Sequence, residues 1–289
     1  MTLIVAGHSL EKITFSGISS THVRGLFAAS DSSITSGGTT LVSGFKKVVE
    51  VPIRVKGLNF CGEWFDGYHD YRYEDGCFVA FAGSTLVAQH IMNSIKNHLG
   101  EIYPTYEDEE YKLVMSCEPH RHLRQIDYDD SMFLDKHLNG LLSAKLVSNI
   151  VRHSIQAVLD SAQKHDGMRN NFRAFQAEFI LGFRCPLDYK YYLYQYEIHP
   201  DNEKSAIVNM TQIQEGDVAV IGLKEQYSEE AKDHFQKALD NGDNTAIKMH
   251  EFIVNAIEDQ NSLGVFSIGK PCGLYMYEGR YVTLKKYIR

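Results

Sequence analysis

Threonine at position 2 is the residue whose place in the chain could make it reactive. An unactivated threonine hydroxyl is a poor nucleophile, but a threonine at a free N-terminus carries its own base, because its α-amine can accept the hydroxyl proton. Met1 stands before it, and Thr2 is small enough for methionine aminopeptidase to expose that amine. A reference α-amine titrates at about 7.7–8.0, and a nearby ammonium would favour its neutral, proton-accepting form. The other chemically dense stretch is Cys117-Glu118-Pro119-His120-Arg121-His122. His120 and His122 at i and i+2 match no standard zinc spacing, so no metal site is expected there. Neither is a cofactor expected, and the chain has no GxxxxGK[ST] phosphate-binding loop.

These groups need a scaffold, and 289 residues with 44% hydrophobic side chains suffice for a sizeable core. The formal net charge of -8 argues against phosphate-backbone binding, so no nucleic-acid partner is expected. No run approaches the roughly 18 apolar residues of a membrane span, and the N-terminus does not read as a signal peptide. Five scattered cysteines, Cys61, Cys77, Cys117, Cys185 and Cys272, contain no CxxC pair and point to a reducing, cytoplasmic setting.

The apolar runs at 3–6 and 26–29 read as paired strands, joined by an extended hairpin over 9–24 that could cover a substrate cleft. Strands are expected at 47–55 and 77–82. Leu86, Val87, Ile91, Ile95 and Leu99 then follow an amphipathic helical period. Residues 101–135 are acidic, tyrosine-rich and aperiodic, which suggests a surface insertion. A long helix is expected over 141–165, followed by strands at 177–183, 191–199 and 218–221. The tyrosines at 189, 191, 192, 194 and 196 read as strand packing. Ser228, with Glu229 and Glu230 behind it, would cap a helix, and a second helix covers 246–258. The tail over 265–287 ends in a hairpin around Glu278 and Gly279. This order does not suit alternating parallel units and fits two packed sheets between helix layers.

Several short segments, in order, resemble proteasome β-subunits and the bacterial ATP-dependent protease peptidase subunit, which are N-terminal-nucleophile hydrolases. Thr2-Leu3-Ile4-Val5-Ala6 resembles the opening threonine strand of that family. Ala28 through Gly37 resembles its second strand, which implies a buried aspartate role for Asp31 and a substrate-binding role for Thr35. Gly44-Phe45-Lys46-Lys47-Val48 resembles the segment with the active-site lysine. Lys47 rather than Lys46 stands at the family's usual sixteen-residue separation from Asp31. Phe81-Ala82-Gly83-Ser84-Thr85 resembles the glycine turn whose N–H forms the oxyanion hole, which implies Gly83 as donor and Ser84 beside the substrate. Gly222 and Ser267, in segments similar to an apolar strand plus glycine and to a serine-glycine turn, are implied as supporting residues. Ser84 replaces the family's second glycine, and Gly264 stands where an aspartate is usual.

The resemblance implies an α+β fold, specifically a four-layer αββα sandwich, as one domain over 1–289 with insertions near 9–24, 52–76 and 101–138. It implies a threonine-type endopeptidase that cuts polypeptides inside a homo-oligomeric chamber, fed by a separate ATP-dependent unfoldase. A noncatalytic subunit of that fold and a small-substrate amidase are the alternatives. Taken singly, Asp31 suits a turn, Lys47 a solvated strand and Gly83 a helix entry. Their joint order and spacing carry the reading.

Overall fold

Leu3, Ile4, Val5 and Ala6 are all fully buried, so the first strand has no face in water. That fact organises the architecture seen in the computed structural model, which describes residues 2–15, 18–36, 39–124, 130–165, 172–202 and 205–288. A strand places alternate side chains on opposite faces. In β1 (Leu3–Phe15), Leu3 and Val5 join one apolar cluster while Ile4 and Ala6 join another. A continuous apolar run is the pattern of a strand covered on both sides.

The structure is mixed α+β. β1 pairs antiparallel with β2 (Ile18–Asp31), and with β12 (Val218–Gly222), β13 (Cys272–Glu278) and β14 (Tyr281–Ile288) forms a five-stranded sheet ordered β12-β1-β2-β13-β14. A seven-stranded sheet contains β5 (Val48–Cys61), β6 (Trp64–Gly83), β7 (Ile102–Glu107), β8 (Glu110–Met115), β9 (Ala177–Arg184), β10 (Tyr191–Asn202) and β11 (Ser205–Ile213). Its order is β11-β10-β9-β6-β5-β7-β8. Ile4, Ala6, Leu26 and Ala28 of the first sheet share a cluster with Phe78, Ala80, Ile180 and Leu193 of the second. A second cluster joins the seven-stranded sheet to α1 (Thr85–Gly100) and α3 (Ala144–Ala162), which follows the single turn α2 (Asp135–Leu138). A third joins the five-stranded sheet to α4 (Lys224–Asn241) and α5 (Thr245–Ser262). No helix among the described residues is long and apolar enough to cross a membrane.

Helix boundaries follow local chemistry. Ser143 caps α3 by accepting from the Leu146 N–H, and Asn244 caps α5 by accepting from the Ile247 N–H. Ser228 does not start a helix: α4 begins at Lys224, so Ser228 lies within its second turn. In α1 the apolar period holds at Ile91, Ile95 and Leu99, whereas Leu86 in the first turn is 83% exposed.

The structure corrects three other expectations. The hairpin over 9–24 continues β1 and β2 away from Thr2, its Phe15–Ile18 tip about 40 Å along the strand at roughly 3.3 Å per residue. Thr245 accepts from the Leu10 N–H and donates to the His8 carbonyl, tying the hairpin base to α5, so it cannot cover a cleft at Thr2. The edge strand β11 was missed because its alternation buries little beyond Ala206, Val208 and Ile213.

Residues 101–135 are not a bare surface insertion. They contribute β7 and β8 to the larger sheet, and they pack on the far half of the long β5–β6 hairpin. Phe65, Leu123, Phe133 and Leu138 form a separate small core there, edged by Phe60, Tyr68 and Tyr111. The Tyr68 hydroxyl donates to the Pro104 carbonyl and accepts from the Leu123 N–H. This partition predicts that Phe65→Ala, at a cost of about 3 kcal/mol, opens residues 101–138 to limited proteolysis before the rest of the chain unfolds. Phe179→Ala in the main core should instead lower the melting temperature of the whole molecule, which calorimetry and proteolysis together would distinguish.

Candidate active site

The end of β2 places Asp31 fully buried, where an isolated carboxylate would be strongly disfavoured. Lys47, 3% exposed just before β5, supplies the opposite charge: its Nζ lies 2.8 Å from Asp31 Oδ1 and donates to the Ser33 carbonyl at 2.7 Å. The backbone completes the carboxylate's shell. Leu3 N–H donates to Oδ1 at 3.0 Å and Ser33 N–H to Oδ2 at 3.1 Å. Burial pulls the Lys47 ammonium below the usual lysine range, and the charge and hydrogen bond of Asp31 oppose that shift.

The chain between these residues makes the small hairpin of β3 (Ile34–Ser36) and β4 (Thr39–Val42), and Phe45 N–H closes it by donating to the Ser32 carbonyl. Residues 267–271 brace it from outside. Thr35 Oγ1 donates to the Ser267 carbonyl at 3.1 Å, and Ser32 Oγ donates to the Pro271 carbonyl at 2.6 Å.

Thr2 lies one residue before the Leu3 N–H that holds Asp31, and it is 8% exposed. It lines a small pocket of about 50 Å³ with Ser33, Thr35, Phe45, Lys47, Gly83 and Thr85. On its other side Thr2 and Gly83 line a wider pocket of about 390 Å³ with Glu178, Glu197, His199 and Lys224. Two glycines make this approach possible. Gly83 has φ +103°, and a Cβ there would sit 2.4 Å from the Gln176 carbonyl oxygen. Gly222 has φ +90°, and a Cβ there would sit 1.9 Å from the Thr2 carbonyl oxygen. The next residue, Leu223, donates its N–H to that oxygen at 2.9 Å. Only glycine fits such conformations at close quarters.

The wider pocket carries a charge network that spacing alone did not reveal. Lys224 Nζ lies 2.8 Å from both Glu178 and Glu197, and the second oxygen of Glu178 accepts from the Gly222 N–H at 2.7 Å. Burial alone would raise the Glu197 carboxyl, but Lys224, Gln195 and His199 outweigh it and hold the carboxyl below its usual range. Burial lowers the Lys224 ammonium, and the two glutamates more than restore it. A still wider groove of about 690 Å³, near Arg72, Asp135 and Leu187, lies around the satellite core and away from Thr2.

The structure therefore gathers Thr2, Thr35, Lys47 and Gly83 around one pocket, with Asp31 directly behind Lys47 and Gly222 against the Thr2 backbone. Ser84 does not line that pocket: its N–H donates to the Gln176 carbonyl at the entry to α1, and Thr85 faces the pocket instead. Ser267 reaches the site through its carbonyl on Thr35. Sequence reasoning missed Ser33, Glu178, Glu197 and Lys224, which come from distant strands and a helix start and carry no local motif.

No family model matches the chain, and no curated protein does. Among solved structures, an Anbu (Gly-1) mutant from Hyphomicrobium sp. strain MC1 matches with a TM-score of 0.50 at 16% identity, over 100% of this chain and 87% of that one. Anbu (ancestral beta-subunit) from Yersinia bercovieri matches with a TM-score of 0.45 at 15% identity, over 96% and 81%. The first likeness concerns the fold alone. It corrects the family expected from the sequence: the structure matched is an Anbu protein, not a proteasome β-subunit or the bacterial peptidase subunit.

Removing Lys47 while leaving Asp31 strands a buried charge, so Lys47→Met should cost about 3–5 kcal/mol in denaturant unfolding. Lys47→Met with Asp31→Asn should recover part of that loss. The Glu197 network gives a pH test. Its depressed carboxyl contributes stability present above about pH 4.5 and lost as pH falls through the lowered value. The melting temperature should consequently fall less steeply with acid in Glu197→Gln than in the unaltered protein.

Proposed function

We propose that the chain is an N-terminal-nucleophile hydrolase of amide bonds, with Thr2 as nucleophile once Met1 is removed. The observation that carries the reading is the buried Asp31–Lys47 pair, anchored to the Leu3 N–H and presented to the pocket that Thr2 lines. In this reading the two sheets and their helix pairs form a single-domain, four-layer αββα sandwich.

The Thr2 hydroxyl attacks the substrate carbonyl, and its proton passes to the Thr2 α-amine. The Lys47 ammonium favours the neutral amine, and Asp31 fixes Lys47 in place. The carbonyl oxygen becomes an oxyanion beside the Gly83 N–H, a donor whose type is worth about 2.7–4 kcal/mol to the transition state. Collapse breaks the C–N bond, the leaving amine takes the proton, and an ester remains on Thr2. Water, deprotonated by the same α-amine, then attacks the ester and restores the hydroxyl.

Pockets on both sides of Thr2 support an extended substrate, so the reading takes polypeptide as the substrate class and an endopeptidase as the activity. It extends to a homo-oligomeric chamber in the cytoplasm that excludes folded proteins and is supplied by a separate ATP-dependent unfoldase. The test compares the unaltered protein with Thr2→Ala on casein, fluorogenic peptides and small amides. Casein and peptide cleavage should fall by about 10³-fold or more in the variant, as for loss of other catalytic nucleophiles. Equal activity of the two proteins would exclude Thr2 chemistry, and a loss confined to small amides would replace the peptidase by an amidase.

A further inference from the structure

Cys117 is drawn by sequence spacing toward His120 and His122, but the fold pairs it with other residues. His122 stacks on Tyr103, with centroids 4.1 Å apart, and turns its Nε2 to the Met115 carbonyl. Cys117, in the turn after β8, meets His98 from the last turn of α1 and His153 from the middle of α3. One nitrogen of each ring and the Cys117 Sγ all lie within 4.8 Å of one another.

The geometry suits a metal ion. Cys117 Sγ and His153 Nε2 are 3.6 Å apart. In a tetrahedral zinc site, with Zn–S of about 2.3 Å and Zn–N of about 2.0–2.1 Å, the sulfur-to-nitrogen edge is about 3.6 Å. The supporting contacts are present as well. Ser154 Oγ donates to the Ile150 carbonyl at 2.7 Å, so it accepts from His98 Nδ1–H at 2.8 Å. That bond fixes the His98 tautomer and leaves the lone pair on Nε2, as an outer-shell partner does for a ligating histidine. Glu118, next to Cys117, is engaged by Arg121 at 2.6 Å and by the Met115 N–H at 3.2 Å. The turn that carries Cys117 is thereby held in place. Cys117 and His153 are exposed, which gives an ion access and leaves a fourth position to water.

We propose that His98, Cys117 and His153 form a binding site for a divalent transition metal of the zinc class. On binding, the Cys117 thiol releases its proton to solvent and the thiolate bonds to the ion, with no change of oxidation state. The site lies about 20 Å along α1 from Thr85, so it is separate from the Thr2 pocket. Its ligands span three elements, so the ion clamps the segment after β8 onto the α1–α3 pair.

The test uses the full chain, stripped with chelator and titrated with Co²⁺ and then Zn²⁺. One ion per chain is expected, with a thiolate-to-cobalt charge-transfer band that Zn²⁺ displaces. Cys117→Ser should abolish the band, and His153→Ala should weaken affinity by more than about 100-fold. Ser154→Ala should weaken it by about 10-fold or more, and Cys61→Ser should change nothing. Zn²⁺ should also shield Cys117, but not Cys61, from alkylation in a peptide map. Cys117→Ser, His153→Ala and Cys61→Ser alter exposed side chains and Ser154→Ala a buried one, and circular dichroism verifies that each variant folds. Absence of the charge-transfer band in the unaltered protein, or unchanged binding by folded Cys117→Ser, would overturn the proposal.

Discussion

The contact between Asp31, at the end of β2, and Lys47, just before β5, ties the two sheets together. Two opposite charges are removed from water together, and each is acceptable only because the other is there. Hydrophobic side chains of similar volume would serve stability as well or better, so stability alone does not account for an ion pair here. The pair also reads out backbone position. Asp31 holds the Leu3 N–H, so β1 cannot slide against β2 without breaking a buried hydrogen bond. Thr2 is placed by that same bond.

Backbone geometry supplies the remaining precision. Gly83 and Gly222 adopt left-handed φ values on either side of Thr2, and a methyl group at either would meet a carbonyl oxygen at well under van der Waals distance. Thr2 thus lies beside two turns that no other residue type could make so tightly. The charges of Glu178, Glu197 and Lys224 surround the wider pocket next to those turns. A substrate there would meet a preformed, hydrogen-bonded polar wall.

Much of this was legible in the sequence, for physical reasons. The runs at 3–6, 26–29 and 77–82 are apolar without alternation, which marks strands buried on both faces, and they form the centre of the two sheets. Asp31, Lys47 and Gly83 were singled out from short segments whose order resembles a known family, and the fold brings Lys47 and Gly83 to the pocket that Thr2 lines, with Asp31 against Lys47. What was not legible depends on contacts between distant segments. Residues 101–135 show no periodicity because their apolar side chains fill a small core shared with the tip of the β5–β6 hairpin, not one face of a single element. Lys224 joins Glu178 and Glu197 only after a helix start is brought to two strands, and Cys117 meets His98 and His153 only after two helices pack. The family expected from the sequence rested on a few short segments, and the match to a solved structure is at the level of the fold.

The most direct measurement is the mass of the mature protein and of its N-terminal peptide, before and after treatment with a threonine-directed peptidyl epoxyketone. The account predicts a chain that begins at Thr2 and gains one inhibitor mass on that residue. A chain that retains Met1 and carries no adduct would contradict it.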